Sequence, residues 1–203
     1  MKVTLLSGDA LPRMVENAVL GALTCTGNEE RIKEYDPVKF LTSLVERGHE
    51  SVIEHINLTF RVEGISRALL QELARHRHIS LSVRSTRYTL GKMALDPKWL
   101  DKVTAEMKEI LSLAATRYSQ RKLDNVGVEY VESAAVRVLE ALNYSGVSKL
   151  PDLGKYFLPD VFPTAFMLTL NARELRHIFK LRSRPEALHE FQYLTKALYD
   201  AIP

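Results

Sequence analysis

Cysteine is nearly absent: Cys25 is the single one in 203 residues. No intrachain disulfide framework can form, and no cysteine-built zinc site has its ligands. No stretch approaches the roughly 20 apolar residues that a membrane-spanning helix requires. The opening residues MKVTLLSGDALPRM carry neither the apolar core nor the cleavage pattern of a secretory leader. The chain therefore reads as cytoplasmic, with no membrane partner. Glycine is also sparse, at nine residues, and none falls in the Gly-x-Gly-x-x-Gly spacing of a dinucleotide-binding turn. Internal repeats and low-complexity segments are missing as well. The net charge of +3 is mild and excludes a protein that coats nucleic acid by bulk charge.

Hydrophobic residues make up 46% and charged residues 26%, an ordinary soluble composition, long enough for one domain over residues 1–203 with its own core. The charges are unevenly placed. From Arg75 to Tyr88 there are four arginines and no acid; from Arg173 to Arg184 there are four arginines and Lys180 against Glu174 alone. One anionic site assembled from both stretches, or two solvated basic faces, would each account for this.

Periodicity predicts a short strand over residues 2–6 and a helix over 13–24. A helix should start at Asp36-Pro37 and stop at Gly48, with Val38, Leu41, Leu44 and Val45 on one face. Ser51 to Glu54 has the spacing of a capping box. Ile56, Leu58, Phe60 and Val62 alternate with polar residues as a half-buried strand that Gly64 ends. Ser66 can cap a helix running towards Arg75-His76-Arg77. Helical patterns cover 97–123 and 128–143, the latter followed by Gly146 and a connection over 146–163. Residues 164–170 read as a second core strand. Asn171 caps the next helix, with Glu174 at capping-box spacing, and a last helix spans about 185–199. The class is α+β: a helix-rich single domain with a small, mostly antiparallel sheet.

On a helix, successive side chains diverge by about 100°, so Arg75 and Arg77 would point nearly opposite ways and serve different ligands or subunits. Guanidinium groups suit phosphates because their donors form a planar fork. A basic helix end, where cations sit well against the helix dipole, accounts for the triplet equally. The following stretch, His78 to Tyr88, mixes hydroxyls with arginines, as an anion pocket would or as a polar strand with a basic face would.

Arg75-His76-Arg77, seven residues, then Ser85, continued by Arg87-Tyr88, resembles the signature of the flavin-dependent thymidylate synthases. The resemblance extends to Gly48-His49-Glu50-Ser51, Glu54-His55, Leu158-Pro159, Asn171-Ala172-Arg173 and Leu181-Arg182, in order. It implies the fold of that family and a reductive methylation. A methylene passes from methylenetetrahydrofolate to C5 of dUMP, FAD carries the hydride, and NADPH or NADH re-reduces the flavin. It also implies a homotetramer with shared active sites. By the same resemblance, Glu72, Arg75, Val83, Ser85, Thr86, Arg87, Lys155 and Arg182 would bind dUMP, with Val83 and Thr86 offering backbone groups. His49, Ser51, Arg75, His76, Arg77, Asn171, Arg173 and His177 would bind FAD. Arg182, Ser85 and Arg87 would act in catalysis, with no metal.

Three positions depart from the family's pattern. Val83 stands where Glu or Gln is common, Lys155 replaces an arginine and loses the bidentate fork, and Glu186 stands where a histidine can occur. Ser85 has arginines rather than a general base around it, so it is expected to orient the nucleotide. Cys25 reads as a small core residue rather than a nucleophile. Two other functions remain open to the residues: a nucleic-acid-binding module built on 75–88, which offers only Tyr88 for stacking, and a flavoprotein homologue without synthase activity.

Overall fold

The computed structural model describes residues 1–93, 96, 98–119, 133, 136, 137 and 154–203. Most of the helix expected over 128–143, together with Gly146 and the start of the connection after it, lies outside the described residues.

Four strands, β1 (Lys2–Leu5), β2 (Asn57–Ser66), β3 (Ile79–Val83) and β4 (Pro163–Asn171), form one antiparallel sheet in the order β1-β2-β4-β3. The long central pair puts Leu58, Phe60, Val62, Phe166, Leu168 and Leu170 on a buried surface. Helices α3 (Arg67–Leu73), α6 (Ala172–Arg182) and α7 (His189–Asp200) close over it with Leu69, Leu73, Leu175, Ile178, Phe191, Leu194 and Leu198. Truncating one of these fully buried leucines to alanine costs about 2–5 kcal/mol. Helices α1 (Leu11–Thr24) and α2 (Pro37–Glu46) pack with the 3-10 turn Glu50–His55 around Val19, Leu23, Leu41, Val52 and Ile53. Helices α4 (Thr86–Met93) and α5 (Trp99–Ser119) contribute Leu90, Trp99, Val103 and Met107 to a third cluster, which also takes in Leu158 and Phe162.

The caps expected from sequence form at three places. Asp36, Ser66 and Asn171 accept from the N–H groups of Lys39, Leu69 and Glu174 at 3.0, 2.9 and 2.8 Å. The α2 terminus closes through Gly48, whose φ of 88° few other residues adopt. Ser51 does not cap a helix: it sits exposed inside the turn Glu50–His55, where Val52 and Ile53 take the buried positions.

Gly64 does not end β2. It forms a bulge at φ 69°, the register shifts between Glu63 and Ile65, and the strand continues to Ser66. Beyond the bulge Ile65 and Ser66 are both buried. There the Ser66 N–H donates to Glu190 at 2.7 Å and its hydroxyl donates to the same carboxylate. Burial pushes the Glu190 carboxyl up, against the pull of those two donors. The Arg67 and Ala68 N–H groups bond the carbonyls of Phe162 and Asp160. The first turn of α3 is thus satisfied from within the fold.

Cys25 is not a core residue. It is exposed at the end of α1, its thiol on the Gly21 carbonyl at 3.4 Å.

Candidate active site

Helix α3 ends at Leu73, so Arg75-His76-Arg77 lies in the turn before β3 rather than on a helix. The side chains still diverge, for a different reason. The His76 N–H folds back onto the Leu73 carbonyl at 3.0 Å and turns the ring inward to 8% exposure, while Arg75 and Arg77 stay exposed.

His76 sits at the centre of a network that joins the two arginine-rich stretches. Its Nδ1 meets Glu174 Oε1 at 3.0 Å, and its Nε2 meets Arg182 Nε at 3.2 Å. Arg182 Nη1 donates to Glu72 Oε2 at 3.1 Å, and Arg75 Nη1 donates to Glu72 Oε1 at 3.3 Å. The Arg182 guanidinium stacks 4.8 Å from the Phe191 ring centroid, and His76 meets that ring edge-on at 5.9 Å. Burial is the main cause holding His76 below the usual histidine range; the Glu174 hydrogen bond opposes it and the Arg182 charge adds to it. A neutral His76 follows, with one ring nitrogen donating and the other accepting. Among the described residues, Arg182 Nη2 donates no hydrogen bond.

A cleft of about 490 Å³ opens beside this network, between α6 and the turn Glu50–His55. Asn171, Arg173, Glu174, Arg176, His177, Lys180 and His78 line it, with Glu50 and Glu54 opposite. Arg173 pairs with Glu54 at 2.6 Å and with Glu50 at 3.7 Å, and Arg176 with Glu50 at 2.9 Å. All four side chains remain substantially exposed. His49 precedes the same turn and Ser51 lies within it, both exposed.

The Ser85 region stands apart from this network along the chain. Strand β3 separates the triplet from it by roughly 13 Å between Ile79 and Val83, at about 3.3 Å per residue. Arg84 extends the ladder through its N–H to Ala165, and Ser85 caps α4 by accepting from the Tyr88 N–H at 3.3 Å. Thr86 is buried, Arg87 and Val83 are exposed, and Lys155 is exposed in the 3-10 turn Lys155–Phe157.

The structure thus gathers Glu72, Arg75, His76 and Arg182 in one network, and Asn171, Arg173 and His177 in one cleft. Val83, Ser85, Thr86 and Arg87 form a third group beyond β3. Sequence reasoning missed Glu174 as the partner of His76, and Glu50, Glu54 and Arg176 as cleft groups. Glu174 carried a visible signal in its capping-box spacing. The cap forms only in one direction, since the Glu174 carboxylate turns to His76.

Fold and site together define a class: an α+β protein with a partly buried arginine–histidine network beside an exposed cationic cleft, suited to phosphorylated ligands. Comparison with known proteins narrows it. The profile of the thymidylate synthase complementing protein family matches residues 9–202. A flavin-dependent thymidylate synthase of Campylobacter jejuni is 41% identical over 156 residues, 76% of this chain and 70% of its own length. That of Wolinella succinogenes is 42% identical over 158 residues, 76% and 71% of the two chains. A crystal structure of thymidylate synthase X from Helicobacter pylori with FAD and dUMP superposes with a TM-score of 0.75 at 30% identity. The match covers 100% of this chain and 94% of that one. The chain belongs to the flavin-dependent thymidylate synthase family.

Proposed function

We propose that this chain makes dTMP from dUMP, with methylenetetrahydrofolate as the one-carbon donor, in the de novo pathway of the cytoplasm. When bound, FAD supplies the hydride that completes the new methyl group, after its own reduction by NADPH or NADH. The cleft chemistry fits that cofactor. Arg173, Arg176 and Lys180 offer cationic donors for a diphosphate, and Asn171, His177 and His78 offer further amide and ring N–H donors. Their acidic partners Glu50 and Glu54 are exposed enough to exchange them for a ligand. His49, Ser51, Arg75 and Arg77 complete the flavin contacts, and His76 contributes by holding Arg182.

Arg182 is the group that meets the nucleotide. Its Nε and Nη1 are fixed by His76 and Glu72, and Nη2 is available. A fixed guanidinium stabilises negative charge that develops on a pyrimidine as its C5 becomes nucleophilic. Ser85, Arg87, Lys155 and the backbone of Val83 and Thr86 hold the rest of dUMP. β3 keeps Ser85 and Arg87 away from the triplet along the sheet, which suits a homotetramer whose sites are completed by a second copy.

The observation that carries this function is the single network joining residues 72–76 to 174–182 around Arg182. Its test is a turnover assay with dUMP, methylenetetrahydrofolate, FAD and either nicotinamide nucleotide. Formation of dTMP is expected; a folded, flavin-loaded protein that forms none with either reductant overturns the proposal.

A further inference from the structure

We propose that Glu174 is a positioning residue: it fixes the tautomer of His76 and, through that ring, the orientation of Arg182. This role rests on Arg182 meeting the nucleotide.

The hydrogen bonds admit one arrangement of protons. A guanidinium nitrogen can only donate, because arginine keeps its charge in proteins. Arg182 Nε, 3.2 Å from His76 Nε2, therefore requires a lone pair on that ring nitrogen. The ring proton must then sit on Nδ1, where Glu174 Oε1 accepts it at 3.0 Å. The Glu174 and His76 side chains are only 9% and 5% exposed, so bulk water is a poor substitute for either partner.

Glu174 borders the cleft, but among the described residues its carboxylate hydrogen-bonds His76 alone, so its removal acts first on this relay. Asn171 already caps α6 through the Glu174 backbone N–H, so the Glu174 carboxylate is not needed to start the helix. Phe191 supports both the Arg182 guanidinium and the His76 ring and fixes their planes. The other groups facing His76 are His177, edge-on at 6.0 Å, and Glu72 through Arg182. Neither accepts the Nδ1 proton. Without the Glu174 acceptor the ring is free to carry its proton on Nε2. Two N–H groups would then face each other across the His76–Arg182 contact, and Arg182 would swing off the ring.

The test pairs a spectroscopic signature with a binding measurement. ¹⁵N NMR of the histidine-labelled, flavin-loaded protein reads the ring proton, and calorimetry reads dUMP affinity. In the wild type the His76 proton is expected on Nδ1. Glu174→Gln keeps an oxygen acceptor and is expected to retain that tautomer, with dUMP affinity within about threefold. Glu174→Leu is expected to lose the tautomer and weaken dUMP binding by roughly tenfold or more, the consequence of stranding a buried donor. A proton on Nε2 in the wild type overturns the proposal, and so does wild-type dUMP affinity in a folded Glu174→Leu. Should Glu174→Leu fail to fold, the wild-type and Glu174→Gln spectra still decide. A wild-type protein that binds no dUMP at all overturns the nucleotide role of Arg182 itself, a distinct result.

Discussion

The His76 network and the neighbouring cleft are built from the same residue types, arginine, glutamate and histidine, yet they do opposite things with them. Around His76 every partner is specified. Arg182 is held on two edges and stacked on Phe191, and His76 uses both ring nitrogens. In the cleft, Arg173 divides itself between Glu50 and Glu54, and Glu50 between Arg173 and Arg176, with all four side chains in contact with solvent. Buried polar groups must be satisfied in one arrangement or cost stability. Exposed pairs contribute little and exchange readily. The first arrangement suits a group that must stand still while charge develops on a substrate. The second suits groups that must release their partners to accept a ligand.

The comparison breaks first at Arg182. Arg182→Ala is expected to weaken dUMP binding by on the order of a hundredfold, because a charge-assisted, partly buried guanidinium and its partners are lost together. Most FAD should stay bound. Equal loss of both ligands, read by calorimetry and flavin absorbance, would show that network and cleft are one site.

A smaller effect comes from pH. His76 sits below its ordinary value of 6.5 in the folded protein, mainly through burial. The unfolded chain therefore takes up its proton first as pH falls. The stability linked to neutral His76 is full above about pH 6.5 and is lost as pH drops towards the lowered folded value. Protonation of the folded protein also puts an N–H against Arg182, so dUMP affinity should decline later, as pH falls through the lowered folded value. A dUMP titration from pH 7.5 to 5.5 checks this, with His76→Gln, which cannot titrate, expected to flatten the decline.

The smallest effect is expected in the cleft. Glu54→Gln removes one of the two charged partners of Arg173, but the pair is exposed, so the melting temperature should be unchanged and FAD affinity should move by no more than about threefold. A large loss of stability would place the cleft pairs with the buried network instead.

Much of this fold is legible in the sequence. β2 announces itself by alternation and β4 by its apolar run, and Asp36, Ser66 and Asn171 are local signals whose partners lie three residues away. β3 is harder to see. Ile79-Ser80-Leu81-Ser82-Val83 alternates, but it is short, lies at the sheet edge and is flanked by arginines, so it passes for a polar loop. Helical propensity in the residues before Arg75 extends the expected helix past its true end at Leu73, because the turn depends on His76 being drawn into the core. It is the resemblance to a family that points to Arg182. Its support is not visible that way: Glu174 meets His76 across 98 positions of sequence, and no local pattern encodes that meeting.

The bulge at Gly64 has a genetic consequence. A side chain there would be strained by the left-handed backbone and would press on Met1, 3.4 Å away. Three residues later the chain enters α3, which carries Glu72 near its far end, about 7.5 Å along the helix axis at 1.5 Å per residue. A lesion at position 64 would thus tilt the support of Arg182 from a distance. By the proposed function it would score with Arg182 variants in a complementation screen for thymidine independence, although position 64 is none of the residues proposed to bind a ligand.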